Sequence, residues 1–411
     1  MLSTNPAFLL IELDDNNFVF YNSLQHKAAR LTKLEVLILD MVFTYRDYAY
    51  IINRFPISQR NIIEKALKSI EKDKLLLCDE IIVENNGPSI PFVYYIHLTY
   101  RCNLKCNYCY NKSIRNKNQS SIEIEQWMKI ITKILPYAKR IILTGGECFL
   151  YPEINQIVEY IKTNAPNIVI AAISNGMQKY NTPNNKQVLE NLDELSLSCD
   201  SLYREGDRIG FEPETFRNNI DFVRNNFPNV NLTILSVYTK NNSCDILKTQ
   251  EFCKSSGITF EKNIVLPECS EDIEMMPSLN EIYNGKVFLQ ANREISNIGS
   301  PRIKCGAGNS VCSIDPIGNV FPCQNLHYPE FKLGNLLDED VTSIFAKDRS
   351  IIKNVNELPV CCKCKVKYLC GGGCQASGYS LYGKKMDRNH LTCPINYLNA
   401  LEKLKSLNNR L

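Results

Sequence analysis

At 411 residues, with 44% hydrophobic and 22% charged side chains, the chain is too long for one ordinary domain and carries apolar material for two or three cores. A net charge of +3 is close to balance and by itself implies no polyanionic partner. No apolar run approaches a membrane span, and Met1 to Pro6 lacks the basic and apolar stretches of a secretory signal, so the expectation is a cytoplasmic protein in which 18 cysteines need another explanation than disulfides.

Residues 1–85 read as a separate winged-helix-like α+β module. Phe8 to Leu13 and Phe18 to Tyr21 are two short strands around the turn Asp14-Asp15-Asn16-Asn17. Helical periodicity follows through Leu31, Leu34, Leu37, Ile38 and Met41, then Tyr48 to Arg54, then Ile62, Ile63, Leu67 and Ile70 with Ser58 as cap, ending at Leu75-Leu76-Leu77. Six Lys and four Arg against twelve Asp and Glu leave this module near −2, without the basic stripe that nucleic acid demands. Glu84 to Pro91 is a linker of turn formers.

Over residues 92–285, short apolar strands alternate with amphipathic helices. The strands are Phe92–Leu98, Arg140–Leu143, Ile168–Ile173, Leu195–Ser198, Val230–Tyr238 and Ile258–Phe260, which predict a parallel α/β sheet curled into a partial (β/α)6 TIM-like barrel. Function in such folds sits where strands end. Residues 300–411 are different, being cysteine-dense, glycine-rich and weakly periodic; a segment of this kind would be held together by metal, with Tyr397, Leu398, Leu401, Leu404 and Leu407 forming a closing helix.

Cys102, Cys106 and Cys109 follow the first barrel strand, spaced to wrap a short loop around one cubane cluster. Three thiolates hold only three of four irons, and the open iron is a place to bind and reduce a substrate. The run Cys102-x3-Cys106-x2-Cys109, with Tyr108 before its last thiol, resembles the signature of the radical S-adenosylmethionine (radical SAM) superfamily. That resemblance implies a 4Fe-4S cluster whose free iron chelates SAM, and reductive cleavage of SAM to a 5'-deoxyadenosyl radical that removes hydrogen from an unactivated carbon. Thr144-Gly145-Gly146-Glu147 resembles the family's segment for the methionine amine of SAM. Asn175 and Ser198, at the ends of the third and fourth strands, match positions where relatives present polar groups to SAM, with loop capping as the competing role. Arg204 and Arg208 both align with an arginine that engages SAM in relatives, and Arg208 is preferred. No catalytic residue is assigned; His26, His97, His327 and His390 show no ligand spacing and read as structural.

Cys361-x2-Cys364-x5-Cys370-x3-Cys374, then Cys393, with Cys305 and Gly318-x4-Cys323 upstream, resembles the SPASM domain, a C-terminal extension of a radical SAM subgroup that carries two auxiliary 4Fe-4S clusters. A zinc ribbon is the rival reading of paired cysteines; the interleaving of seven ligands and the upstream triplet favour iron. Carried over, the family pattern gives Cys361, Cys364, Cys370 and Cys393 to an outer cluster and Cys305, Cys323 and Cys374 to an inner one, with Cys312 as candidate fourth ligand of the inner site. Cys362 reads as free, and Cys78, Cys148, Cys199, Cys244, Cys253 and Cys269 as buried apolar thiols.

The N-terminal module is similar in pattern to the recognition element of enzymes that modify ribosomally made peptides, which bind a leader by adding it to a sheet edge. The resemblance implies a precursor peptide bound through its leader, an electron donor such as flavodoxin or ferredoxin, and installation of a crosslink, most often a cysteine thioether. An anaerobic sulfatase maturase is the nearest alternative, but Gln324 stands where those enzymes carry an aspartate base. An iron-sulfur DNA-binding regulator is a third reading, opposed by the acidic module and the paired glycines.

Overall fold

The computed structural model describes residues 7–72, 75–76, 89–112, 121–278, 280–281, 297–346, 351–383 and 386–408. The expected module boundaries near 85 and 285, Leu77, Cys78 and the linker up to Pro88 lie outside these residues. Asp14 closes the first hairpin by accepting from the backbone N–H of Asn16 and Asn17 at 3.0 and 2.9 Å, joining β1 (Phe8–Asp14) to β2 (Asn17–Asn22). A third strand, β3 (Lys27–Thr32), stands where helical periodicity was expected to begin. Ala29 and Leu31 alternate onto one face with period two, and only at Thr32 does a reciprocal box with Glu35 start α1 (Lys33–Tyr45). Then come α2 (Tyr48–Asn53) and α3 (Ile57–Lys72), the latter beginning one residue before the Ser58 expected to cap it.

Six parallel strands follow: β4 (Val93–Thr99), β6 (Arg140–Gly145), β7 (Val169–Ser174), β8 (Glu194–Ser198), β10 (Asn231–Tyr238) and β11 (Thr259–Ile264). Two-residue β5 (Lys105–Cys106) and β9 (Arg208–Ile209) pair antiparallel outside the main sheet. The interleaved helices are α4 (Ile124–Ile134), α5 (Ile154–Asn164), α6 (Pro183–Asn191), α7 (Pro213–Asn226) and α8 (Ser243–Ser256). Their apolar stripes cover the outer face of the sheet, as with Trp127, Ile130, Ile131 and Ile134 of α4, each fully buried and each worth roughly 1.5–3 kcal/mol on burial. Alternation therefore turns Tyr95, His97 and Thr99 of β4 away from Tyr94, Ile96 and Leu98, which join that outer core.

The sheet does not stop at the barrel. After short α9 (Ser270–Ile273), β12 (Val311–Ile314) runs parallel to β4, Val311 opposite Val93 and Ile314 opposite Ile96, and β13 (Asn319–Phe321) and β14 (Gly334–Asn335) add antiparallel. The result is one nine-stranded sheet in the order β11-β10-β8-β7-β6-β4-β12-β13-β14. The C-terminal region thus covers the edge that β4 would otherwise expose, and Leu333, Leu336, Val341, Ile344 and Phe345 join the barrel core. It continues through α10 (Val341–Ala346), α11 (Lys367–Cys370), α12 (Gln375–Leu381) and α13 (Cys393–Lys405). Among the described residues no helix is long and apolar enough to cross a membrane.

Candidate functional site

Where β4 ends, the chain turns into the loop that bears Cys102, Cys106 and Cys109. The end of β6 is pressed against it, Gly146 N–H donating to Thr99 O and Glu147 N–H to Arg101 O, both at 2.8 Å. A Cβ at Gly145 would lie 2.2 Å from Thr99 O, and one at Gly146 2.2 Å from Arg101 O. The two glycines therefore let one strand end lie against the thiol loop, a closeness any side chain would forbid. Glu147 turns inward. It is fully buried, and its carboxylate accepts from Ser174 Oγ at 2.9 Å, Asn175 N–H at 2.7 Å and Phe149 N–H at 3.2 Å. Burial raises its pKa, and these hydrogen bonds oppose the rise.

Asn175, just past β7, reaches the same loop: its Nδ2 donates to Asn103 Oδ1 at 2.7 Å and lies 3.8 Å from Cys102 Sγ. Ser198, the last residue of β8, is half-buried. Two residues on, buried Asp200 receives Arg208 Nη2 at 3.2 Å, Val237 N–H at 2.8 Å and the Tyr108 hydroxyl. The β5–β9 pairing sets Arg208 beside Cys106, with Nη1 4.0 Å from its Sγ and the guanidinium 5.5 Å from the centre of the Tyr108 ring. Arg204 is elsewhere, exposed and paired with Asp245 and Asn241 O. The structure thus gathers Tyr108, Gly145, Gly146, Asn175 and Arg208 around the thiol loop and leaves Arg204 out.

Sequence spacing gave no hint of a second feature. His97 and His327, distant in the chain, stand with ring centres 4.6 Å apart; His97 also meets Tyr100 and Tyr110, and His327 stacks on Phe321 at 4.5 Å. His327 is hydrogen-bonded by Tyr100 and Ser313, whereas neither ring nitrogen of fully buried His97 has a partner among the described residues. Burial pushes the His327 pKa down to about 3 and that of His97 well below the usual range, so both are neutral near pH 7. The rings form a continuous path from Tyr110, next to Cys109, to Phe321, two residues before Cys323.

The second cysteine field divides in two. Cys361, Cys364, Cys370 and Cys393 line one cavity with Arg388, whose Nη1 donates to Cys393 Sγ at 2.7 Å. Burial pushes the Cys361 thiol up to about 11, and the guanidinium works against that rise. Cys362 points away, its Sγ donating to Pro359 O at 3.2 Å. Among the described residues no three His, Cys, Asp or Glu side chains stand close enough to share a single metal ion. Cys305 and Cys374 are the thiols that bear electrostatically on Cys323, which burial holds up to about 12. Gly371, Gly372 and Gly373, at φ +76°, +85° and +70°, carry the chain from Cys370 in the outer group to Cys374 in the inner one, a left-handed run that side chains would strain.

Cys312 must be corrected. As the β12 residue opposite Tyr94 it faces the barrel's outer core, fully buried, and no thiol contributes to its raised pKa. It is not part of the inner group, because the extension of the sheet by β12 turns its side chain toward the helices. Of the thiols read as buried and apolar, Cys148, Cys199 and Cys253 are so, but Cys244 is exposed and half-buried Cys269 accepts from Lys112 Nζ at 3.1 Å.

Comparison with known proteins places this arrangement. The radical SAM superfamily matches residues 96–253, and the SPASM iron-sulfur cluster-binding domain matches residues 305–365. The chain is 27% identical over 267 residues to the antilisterial bacteriocin subtilosin biosynthesis protein AlbA of Bacillus subtilis, covering 60% of this chain and 58% of AlbA. It is 21% identical over 319 residues to the mycofactocin maturase MftC of Mycobacterium tuberculosis, 71% of this chain and 80% of MftC. Streptococcus suis SuiB bound to S-adenosylmethionine shares the fold at TM-score 0.58 and 17% identity, over 94% of this chain and 99% of SuiB. The structure titled native anSMEcpe with bound AdoMet and Cp18Cys peptide does so at TM-score 0.55 and 16% identity, over 76% of this chain and 95% of that one. A barrel with thiols gathered at its strand ends, joined to a second thiol-rich domain, defines an iron-sulfur enzyme of the partial-barrel class. Its barrel is a radical SAM domain, and a SPASM domain follows it toward the C-terminus. Domains of these two kinds use SAM with a 4Fe-4S cluster and auxiliary iron-sulfur clusters as cofactors.

Proposed function

We propose that this enzyme matures a ribosomally made precursor peptide, using SAM to open a C–H bond and leaving a crosslink, a cysteine thioether being the favoured product. The observation that carries the reading is the union in one chain of a SAM-type thiol loop, a SPASM domain and an acidic three-stranded module with a helical back. Names of relatives support it: a bacteriocin biosynthesis protein, a maturase, and a SuiB structure with bound precursor peptide SuiA.

Cys102, Cys106 and Cys109 would hold the cluster that binds SAM, with Tyr108, Gly145, Gly146, Glu147, Asn175, Ser198 and Arg208 around the SAM. Cys361, Cys364, Cys370 and Cys393 would hold the outer auxiliary cluster, and Cys305, Cys323 and Cys374 the inner one. The donor sets fit, since each group is a set of thiols drawn together on fixed backbone, and the outer four surround a cavity. Bound at the first site, cluster and SAM would supply the one-electron chemistry that removes a hydrogen atom from carbon. The chain's residues do the rest. Asp200 locks Arg208 so that a permanent positive charge stays beside Cys106. Glu147, satisfied by β7, pins two strand ends together, and Asn175 fixes the thiol loop from above. The neutral rings of fully buried His97 and half-buried Tyr110 and His327 would keep water from that side of the site.

The leader would add to the edge of the three-stranded sheet, its main chain giving affinity and side-chain pockets selectivity. A flavodoxin or ferredoxin would deliver the electron. The test is anaerobic incubation of reconstituted enzyme, SAM and reductant with a cysteine-bearing precursor peptide. A mass loss of about two units per crosslink is expected, one hydrogen leaving in 5'-deoxyadenosine and the other as a proton whose electron an auxiliary cluster would accept. Unchanged peptide mass despite SAM cleavage would overturn the reading.

A further inference from the structure

The three-stranded sheet of the N-terminal module has two apolar faces, and its own helices cover only one. Phe8, Phe20, Ala29 and Leu31 pack under α1, α2 and α3. Val19 and Tyr21, both fully buried, point the other way and pack with Val366, Leu369, Ala400, Leu404 and Leu407. Those partners come from two places: the loop that runs between Cys364 and Cys370, and helix α13, whose first residue is Cys393, with Leu407 just past its end. The surface on which the module sits is thus the outside wall of the outer thiol cavity.

Polar contacts follow the same line. Lys365 Nζ, between Cys364 and the rest of the loop, donates to Phe8 O at 2.8 Å. His26 is joined to the Tyr21 hydroxyl at 3.0 Å, to Gly299 O at 3.2 Å, and by an edge contact to the ring of Tyr368. The wall has little regular structure and is held by side-chain packing, Cys361 and Tyr368 lying against Val355 and Leu358. Cys361–Lys363 is a single tight turn and α11 spans four residues, too short for helical hydrogen bonding to be self-sustaining. Four thiols facing one cavity join this loop to the start of α13, beside the packing of Val366 and Leu369 with Ala400 and Leu404 farther along the helix.

We propose that the outer cysteine site is the seat of the N-terminal module, so that filling the site fixes how the module is held against the enzyme. The inference rests on the reading of Cys361, Cys364, Cys370 and Cys393 as cluster ligands. It gives the outer cluster a task other than electron storage, namely to build the wall on which the module carrying the proposed leader site is docked. Coupling of this kind is reciprocal: loosening the module must also loosen the cluster.

The test uses full-length enzyme reconstituted with iron and sulfide, read by amide hydrogen exchange. In Cys361→Ser/Cys364→Ser, protection of Leu9–Tyr21 should fall about tenfold or more, with the β6 to β8 strands unchanged. Should that variant lose barrel protection as well, Tyr21→Ala supplies the other arm: its outer cluster should surrender iron to a chelator about fivefold faster than wild type, with the other clusters unaffected. Unchanged exchange at Leu9–Tyr21 after loss of a demonstrably filled outer site, or an unchanged chelation rate in Tyr21→Ala, overturns the proposal. Wild-type enzyme whose four outer cysteines stay open to alkylation after reconstitution overturns instead the cluster reading beneath it.

Discussion

The loop of Cys102 to Cys109 and the cage of Cys361 to Cys393 both collect thiols, but by opposite means. The first is set by the sheet: β4 and β6 end side by side, backbone hydrogen bonds at 2.8 Å tie the loop down, and the buried Asp200–Arg208 pair closes it from the far side. The second is built from a single turn, a four-residue helix and the tip of α13, which meet around their cavity and through the packing of Val366 and Leu369 with Ala400 and Leu404. One site is held by strand ends and their backbone hydrogen bonds, and the other by short elements and the packing of their side chains. A site held by the sheet suits chemistry, where small displacements are costly; a site whose wall seats the N-terminal module suits assembly.

The sharpest way to break the comparison is Arg208→Leu, which strands Asp200 in the interior. Loss of one partner from a buried pair costs about 3–5 kcal/mol, and the denaturation midpoint should drop accordingly, with Arg208→Lys recovering part of it. Gly146→Ala should cost about 1–3 kcal/mol by overpacking, because its Cβ would meet Arg101 O at 2.2 Å; SAM affinity should weaken in step if the loop is displaced. No comparable penalty is expected from a small substitution at the exposed Val360, beside the outer cage.

The imidazole pair adds a pH dependence. Folded pKa values below the ordinary 6.5 mean that the unfolded chain binds protons the native one refuses. Stability is therefore full above about pH 6.5 and falls as pH drops toward 3, by up to about 1.4 kcal/mol per unit for each histidine. Denaturant midpoints at pH 7 and pH 5 measure it, and His327→Phe should flatten the slope. A slope unchanged by that substitution would remove the imidazole pair from the account. Cys312→Val gives the smallest effect, under about 1.5 kcal/mol, with iron content equal to wild type, whereas Cys323→Ala should lose inner-site iron.

Much of the barrel was legible because buried parallel strands are short apolar runs. Arg140 to Leu143 and Leu195 to Ser198 read directly, and the observed strands extend them by two residues or fewer. Local spacing likewise marks the first thiol loop and the Cys361 to Cys374 run. What escaped depends on contacts between distant segments. Arg204 and Arg208 are equivalent by spacing, and only the two-residue pairing of β5 with β9 brings one of them to Cys106. Cys312 stands at plausible ligand distance along the chain, but β12 joins β4 and turns it toward the helices. The facing of His97 and His327 leaves no local trace, since the segments that carry them meet only through the sheet.

The central claim is that the Cys102, Cys106 and Cys109 loop is where SAM is opened. Its most direct test is 5'-deoxyadenosine release by anaerobically reconstituted enzyme under dithionite, wild type beside Cys102→Ala/Cys106→Ala/Cys109→Ala. The account predicts nucleoside from the wild type and none above background from the triple variant, whose SPASM sites still hold iron. Equal release from both would contradict it.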